Sequence, residues 1–264
     1  MTIVTILTDS GENDHYVASI KAKILSIYSD LTIIDISHCI EPANLAQGSF
    51  VLKSVFRDFP SGTVHLVGVG PMCRLDVAYI AIQLEDHFFV GNNNGILSLI
   101  SDQAPQHIVG INNANGLATS FPEKDILAPA VAKIAMEKTL KNIGNPITDY
   151  VQKISSSPKA TKKQIVGQVI YIDRFGNLIT SIRKEIFLSL KGERKFSIQF
   201  GSWSFRNISR VHQYYYEVPE GECFFLFNSL DLLEIGINNG IGDQLFGMNY
   251  DSSVIISFLD ENGI

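Results

Sequence analysis

The sequence lacks the features that announce several protein classes. Its 264 residues include three cysteines, Cys39, Cys73 and Cys223, far apart and never in Cys-x-x-Cys spacing. That argues against a disulfide framework or a cysteine zinc site, and for reduced thiols in a reducing compartment. Histidines stand at 15, 38, 65, 87, 107 and 212, with no His-x-x-x-His pair. A metal site is therefore not expected. The largest basic cluster is Lys162-Lys163 and the net charge is −6, which disfavours a nucleic-acid partner. No run approaches the roughly 20 apolar residues of a membrane span. The opening MTIVTILTDSG lacks the basic segment and long apolar stretch of a signal peptide. A cytoplasmic protein with no membrane association is expected. There is no G-x-G-x-x-G phosphate loop and no G-x-S-x-G elbow, so neither a dinucleotide nor serine-hydrolase chemistry is favoured.

Hydrophobic residues make up 45% of the chain and charged residues 18%, enough to bury a substantial core. Residues 2–8, 31–37 and 63–69 are β-branched, apolar runs expected as strands. Between them, Val17, Ile20, Ile24 and Leu25 mark one helical face, and Leu45, Leu52, Val55 and Phe56 mark another. Two further strands are expected at 78–84 and 87–90, joined by Glu85-Asp86. A helix is expected over 129–140, with Pro129 in its first turn. Strands alternating with helices predict an α/β domain over 1–151: a mainly parallel sheet flanked by helices. Residues 152–164 (QKISSSPKATKKQ) have linker composition. Residues 165–264 show short β-type runs at 167–172, 178–182, 195–200, 222–228, 232–237 and 254–258, expected as a smaller all-β, barrel-like domain.

Three constellations bear polar chemistry. Thr8 to Asp14 lies where the first strand meets the first helix, the usual ligand end of an open α/β sheet. There Asp9 and Asp14 either accept hydrogen bonds from a ligand's hydroxyls or hold the turn and cap the helix. Asp173-Arg174-Phe175-Gly176-Asn177 combines a carboxylate, an aromatic face and an amide. It suits either a purine platform or a hairpin turn. Asn228-Ser229 is ordinary turn chemistry taken alone. His65, among apolar strand neighbours, is expected as a satisfied core histidine.

Taken in order, these segments resemble the S-adenosylmethionine hydroxide adenosyltransferase family: the S-adenosylmethionine hydrolases, with fluorinase and chlorinase as relatives. The blocks are ILTDSGENDHYVASIKAKI, IIDISHCIEPANLAQGSFVL, FPSGTVHLVGVGP, VGNNNGILSLI, DILAPAVA, GQVIYIDRFGNLITSI and NSLDLLEIGINNG. The resemblance implies an α/β domain followed by a β-barrel-like domain, and a homotrimer with ligand sites between subunits. It implies no cofactor, S-adenosylmethionine itself being substrate or ligand. By resemblance Asp9 binds the ribose hydroxyls and Asp14 lies near the methionine end. Tyr16 matches the hydrolase branch, where the halogenating branch has serine. Asp173 holds the methionine ammonium, while Phe175 and Asn177 form the adenine platform and its partner. Asn228-Ser229 adds a methionine contact, and the backbone near Asn239 reads adenine.

The departures from the family lie in its catalytic set. Gly70 stands where the family's Asp-Pro-Gly aspartate is expected, and Pro122 where its histidine is expected. Arg74 is near the position of the family's arginine but out of register. Asn92-Asn93-Asn94-Gly95 replaces Pro-Asp-Asn-Gly. Hydrolysis of S-adenosylmethionine to adenosine is expected, using Arg74, Glu123 or another group. The alternatives are a protein that senses or buffers an adenosyl ligand without turnover, and a structural oligomer with a vestigial pocket.

Overall fold

A computed structural model describes residues 2–70, 77–111, 119–154 and 157–259, the Asn207 side chain aside. The chain divides into two compact units, Met1–Ile154 and Ser155–Ile264.

The first unit runs β1 (Ile3–Thr8), α1 (Tyr16–Ile27), β2 (Thr32–Ser37), α2 (Leu45–Val55), β3 (Val64–Gly68), β4 (Tyr79–Leu84), β5 (His87–Asn92), β6 (His107–Ile111), α3 (Ala128–Glu137) and β7 (Gly144–Pro146). Its sheet has the order β2-β1-β3-β5-β4-β6-β7. The expected parallel sheet is realised in β2-β1-β3-β5, while β4, β6 and β7 pair antiparallel. The change of direction is local. Glu85 and Asp86 both take positive φ, 49° and 62°, closing the two-residue hairpin that only antiparallel strands allow.

Alternation along β1 supplies two cores. Val4 and Ile6 join Ile20 and Ile24 of α1 and Val131 and Ile134 of α3. Leu7 joins Leu52 of α2 and Phe56 on the other face. The period-2 and period-3.6 patterns thus meet on both sides of the sheet. Leu25, expected on the buried stripe of α1, is 43% exposed. Asn44 caps α2 by accepting from the Gln47 N–H at 3.0 Å. Asp14 does not cap α1, whose N-cap position is His15 without a side-chain bond. Helix α3 stops short of the expected residue 140 because Lys138 turns left-handed, φ 54°.

His65 is fully buried between Thr5 Oγ1 (2.6 Å) and His87 Nδ1 (3.1 Å). Burial, reinforced by the neighbouring His87, pushes it down to about 3. It is a neutral core residue.

The second unit runs β8 (Lys159–Ala160), β9 (Gln164–Ile172), β10 (Leu178–Arg183), α4 (Lys184–Lys191), β11 (Phe196–Phe200), β12 (Trp203–Ile208), β13 (Cys223–Phe227), β14 (Leu232–Ile237), α5 (Gly242–Phe246) and β15 (Ser253–Phe258). The ladder β12-β11-β15-β9-β10-β14-β13 is antiparallel throughout. It curls: Phe205 of β12 and Phe225 of β13, at opposite ends of the order, pack with ring centroids 5.0 Å apart. Lys159–Ala160, inside the segment with linker composition, pairs with β9. Helix α4 was not anticipated.

Among the described residues, no helix is long and apolar enough to cross a membrane, and no group of three or more His, Cys, Asp and Glu could hold a metal ion.

Candidate functional site

Strands β1 and β3 run side by side with Thr8 opposite Gly68, so their carboxyl ends lie together. Asp9 follows β1 directly. Its Oδ2 accepts the backbone N–H of Ala43 (2.8 Å) and of Gly70 (2.9 Å). One half-buried carboxylate therefore ties the end of β1 to the loop before α2 and to the end of β3. The Asn92 amide, at the end of β5, donates to Gly70 O at 2.9 Å. Asn93 donates to Val77 O and accepts from Val151 N, and Asn94 donates to Val69 O. All three asparagines are buried. They lace the strand ends together, which explains why this run is polar yet internal. Asn92 Oδ1 has no hydrogen-bond partner among the described residues.

Glu123 reaches the same strand ends. It opens a π-turn, Glu123–Leu127, in which Ala128 N donates to Glu123 O. The turn continues into α3. Glu123 Cγ lies 2.9 Å from where a Cβ on Gly68 would sit. Burial first, and the Asp9 charge second, raise its pKa, opposed by a bond from its own N–H. Tyr79, paired across strands with Asn92, is raised in turn by burial and by Glu123.

The other expected residues of this unit are placed as follows. Tyr16 begins α1 with 40% of its surface exposed, stacks on His15 and meets the Phe121 edge at 5.2 Å. Asp14 is exposed in the preceding turn. Pro122 occupies the N-cap position of the π-turn. Gly70 has φ 79°, and a Cβ there would lie 2.7 Å from Leu45 Cδ2. A side chain at 70, the expected aspartate included, is thus strained in this backbone. The space next to Glu123 belongs instead to Gly68. Arg74 and Cys73 lie outside the described residues.

In the second unit, Asp173 organises the turn between β9 and β10. Its Oδ1 accepts from Phe175 N and Asn177 N, each at 2.9 Å, and its Oδ2 accepts from Asn177 Nδ2 at 3.0 Å. Phe175 is thereby pushed outward, 74% exposed, while Asn177 is buried. The Asn177 amide expected to pair with adenine has its Nδ2 committed within the turn. Asn228 Oδ1 accepts from Leu230 N and Leu232 N, and its Nδ2 donates to Glu234 Oε2 at 3.1 Å. Ser229 is exposed beside it. Asn239, exposed and left-handed at φ 55°, donates to Glu220 Oε1 at 2.9 Å.

Sequence reasoning passed over Glu234 and Tyr215. Glu234 is buried in β14, and burial followed by the Asp173 charge raises its pKa. Tyr215 is raised by burial, Glu234 and Asp173. The available signal was one carboxylate inside the apolar run Leu232–Ile237. The thiol of Cys223 is pushed up to about 12 by burial, which removes it as a nucleophile at neutral pH.

Comparison with known proteins gives this geometry a context. The chain is 32% identical over 192 residues to the (R)-S-adenosyl-L-methionine hydrolase of Methanocaldococcus jannaschii, covering 70% of this chain and 68% of that protein. It is 26% identical to the hydrolase of the same name from Thermus thermophilus, covering 94% of this chain and 96% of the relative. A crystal structure of an uncharacterized conserved protein from Thermotoga maritima superposes with a TM-score of 0.88 at 28% identity, covering 96% and 99% of the two chains. Residues 4–144 match the SAM hydroxide adenosyltransferase N-terminal domain and residues 167–255 match the C-terminal domain. With both domains matched in order, the chain belongs to the SAM hydroxide adenosyltransferase family.

Proposed function

We propose that the protein binds S-adenosylmethionine and displaces methionine from its C5′ carbon with water or hydroxide, giving adenosine. The observation that carries this is Asp9. It is a carboxylate fixed by two backbone N–H groups at the carboxyl ends of parallel strands, where an open α/β sheet receives its ligand. Oδ2 is held from behind, and we assign Oδ1 to the ribose hydroxyls.

The chemistry asks little beyond placement. The substrate is a sulfonium, so methionine leaves as a neutral thioether and needs no general acid. An in-line water, held close and partly stripped of solvent, is the main requirement. Phe175 offers an exposed ring for adenine. Asp173, with Asn177 bracing it, offers a negative charge for the methionine ammonium. Tyr16, Asp14, Ser229 and Asn239 complete the ligand contacts by family resemblance. The same proposal includes domains at 1–151 and 165–264, a homotrimer with ligand sites between subunits, a catalytic contribution from Arg74 and a cytoplasmic location.

Pro122 favours a second reading, binding without turnover, because proline supplies neither a base nor a donor where the family has histidine. Calorimetry with S-adenosylmethionine, followed by chromatography of the reaction mixture, separates the two. Binding together with adenosine and methionine above an enzyme-free control is the expected result. Binding with a flat chromatogram selects the sensor, and no binding at millimolar ligand removes both.

A further inference from the structure

The first unit brings together two carboxylates that the chain holds far apart. Asp9 is committed to Ala43 and Gly70. Among the described residues, Glu123 is not bound up in this way. The N–H that faces its carboxylate is its own.

Three features put Glu123 there. Gly68 has no side chain, and the Glu123 side chain lies where one would be. The π-turn gives the entry to α3 a wider loop than an α-turn, and such turns recur at functional sites. Pro122 precedes it with a fixed helical φ and no N–H to satisfy, and the N–H groups of Lys124 and Asp125 close the first turn on Phe121 O.

A separate observation points to a small polar guest. Asn92 Oδ1 is buried, with residue exposure 1%, and has no partner among the described residues. A buried acceptor left in this state normally binds a donor such as water. Asn92 donates to Gly70 O, Gly70 N donates to Asp9, and Asn92 pairs across strands with Tyr79. Glu123 acts electrostatically with both Asp9 and Tyr79. Asp9, Gly70, Asn92 and Tyr79 are thus linked at the strand ends, with Glu123 beside Gly68 and within electrostatic reach of Asp9 and Tyr79.

We propose that Glu123 is the general base of the displacement, holding the attacking water together with Asn92 Oδ1. The inference rests on the reading of S-adenosylmethionine as substrate. As the water oxygen bonds to C5′, one of its protons passes to the Glu123 carboxylate. The C5′–S bond breaks with its electron pair going to sulfur. Adenosine, methionine and a protonated Glu123 result, and the carboxyl then returns its proton to solvent. The carboxylate comes from the π-turn rather than from the end of β3, where Gly68 leaves it room.

Several charged and titratable groups stand near Glu123 among the described residues. They are Asp9 after β1, Tyr79 on β4, His15 and Tyr16 packed on Phe121, and the Lys124–Asp125 pair on its own turn. Burial and Asp9 place its titration above the ordinary 4.5. The base form is lost as pH falls through that raised value, so kcat has an acidic limb above the usual glutamate range.

The test uses the full chain. Glu123→Gln keeps the shape and removes the base. Its kcat for adenosine formation falls by about 10²–10⁴-fold and its acidic limb disappears. Its calorimetric Kd for S-adenosylmethionine stays within roughly threefold of the wild type. Glu123→Asp recovers part of the rate. If Glu123→Gln does not fold, Gly68→Ala is used instead. It leaves the carboxylate in place chemically but pushes it aside, and lowers kcat likewise. An active wild type whose Glu123→Gln variant keeps its rate and acidic limb overturns the role of Glu123 alone. A wild type that binds without forming adenosine overturns the hydrolase reading, and this inference with it.

Discussion

One carboxylate from each unit shows opposite treatment. In the second, Asp173 is saturated by N–H groups from its own five-residue turn, and Asn228 is likewise spent on its neighbours. In the first, Glu123 is desolvated and beside another negative charge. Saturated carboxylates hold shape and present a fixed charge. A desolvated one has a raised proton affinity, which is what a proton acceptor near neutral pH needs. The difference suits Asp173 to presenting a fixed charge and Glu123 to accepting a proton.

The contrast can be broken at several points. The largest effect is the rate loss of Glu123→Gln, and stability should move the other way. The folded pKa of Glu123 is raised, so the folded protein binds protons that the unfolded chain has released. Its contribution is present at low pH and lost as pH rises through the folded pKa. At neutral pH the charged form is a burden, so Glu123→Gln should melt at the same temperature or higher. Asp173→Ala is the converse case. It removes the acceptor of two backbone bonds and one amide bond, and urea unfolding should show a loss of about 2–4 kcal/mol. A loss below about 0.5 kcal/mol would place Asp173 outside the framework of its turn.

His65 gives a smaller, pH-dependent effect. Its folded pKa of about 3 lies below the ordinary 6.5, so the unfolded chain takes the proton first. Its share of stability is complete above 6.5 and is lost as pH falls towards 3. Between pH 6.5 and 5 this amounts to about 2 kcal/mol at most. Denaturation at the two pH values measures it, and equal stabilities would contradict a buried neutral His65. Phe175→Ala is the smallest perturbation of the fold. With its ring in solvent, it should change stability by about 0.5 kcal/mol or less. Affinity for S-adenosylmethionine should nonetheless fall by about 1–3 kcal/mol, the worth of a stacked base.

Much of the fold was legible because local pattern and tertiary role agree. The apolar run ending at Thr8, the stripe through Ile20 and Ile24, and Pro129 at the start of α3 each carry a local signal. Helix α4 was hidden because its eight residues are too short for a periodic stripe, with only Phe187 buried. Strand β6 was hidden by Gly110 within it and by its exposed end at His107. Of the candidate site, the places of Asp9 and of the Asp173 turn in the fold were legible, since each sits at an element boundary. Glu123 was only one option among several. Its environment comes from Gly68, Asp9 and Tyr79, and no local sequence pattern reports that the three converge. Asp14 shows the reverse: good capping chemistry in a turn that the backbone left uncapped.

The most direct measurement is turnover of S-adenosylmethionine in water enriched in oxygen-18, with mass spectrometry of the nucleoside product. Displacement by a water held in the first unit predicts adenosine whose 5′-hydroxyl carries the solvent label, formed well above an enzyme-free control. No adenosine above that control, or adenosine without the label, would contradict it.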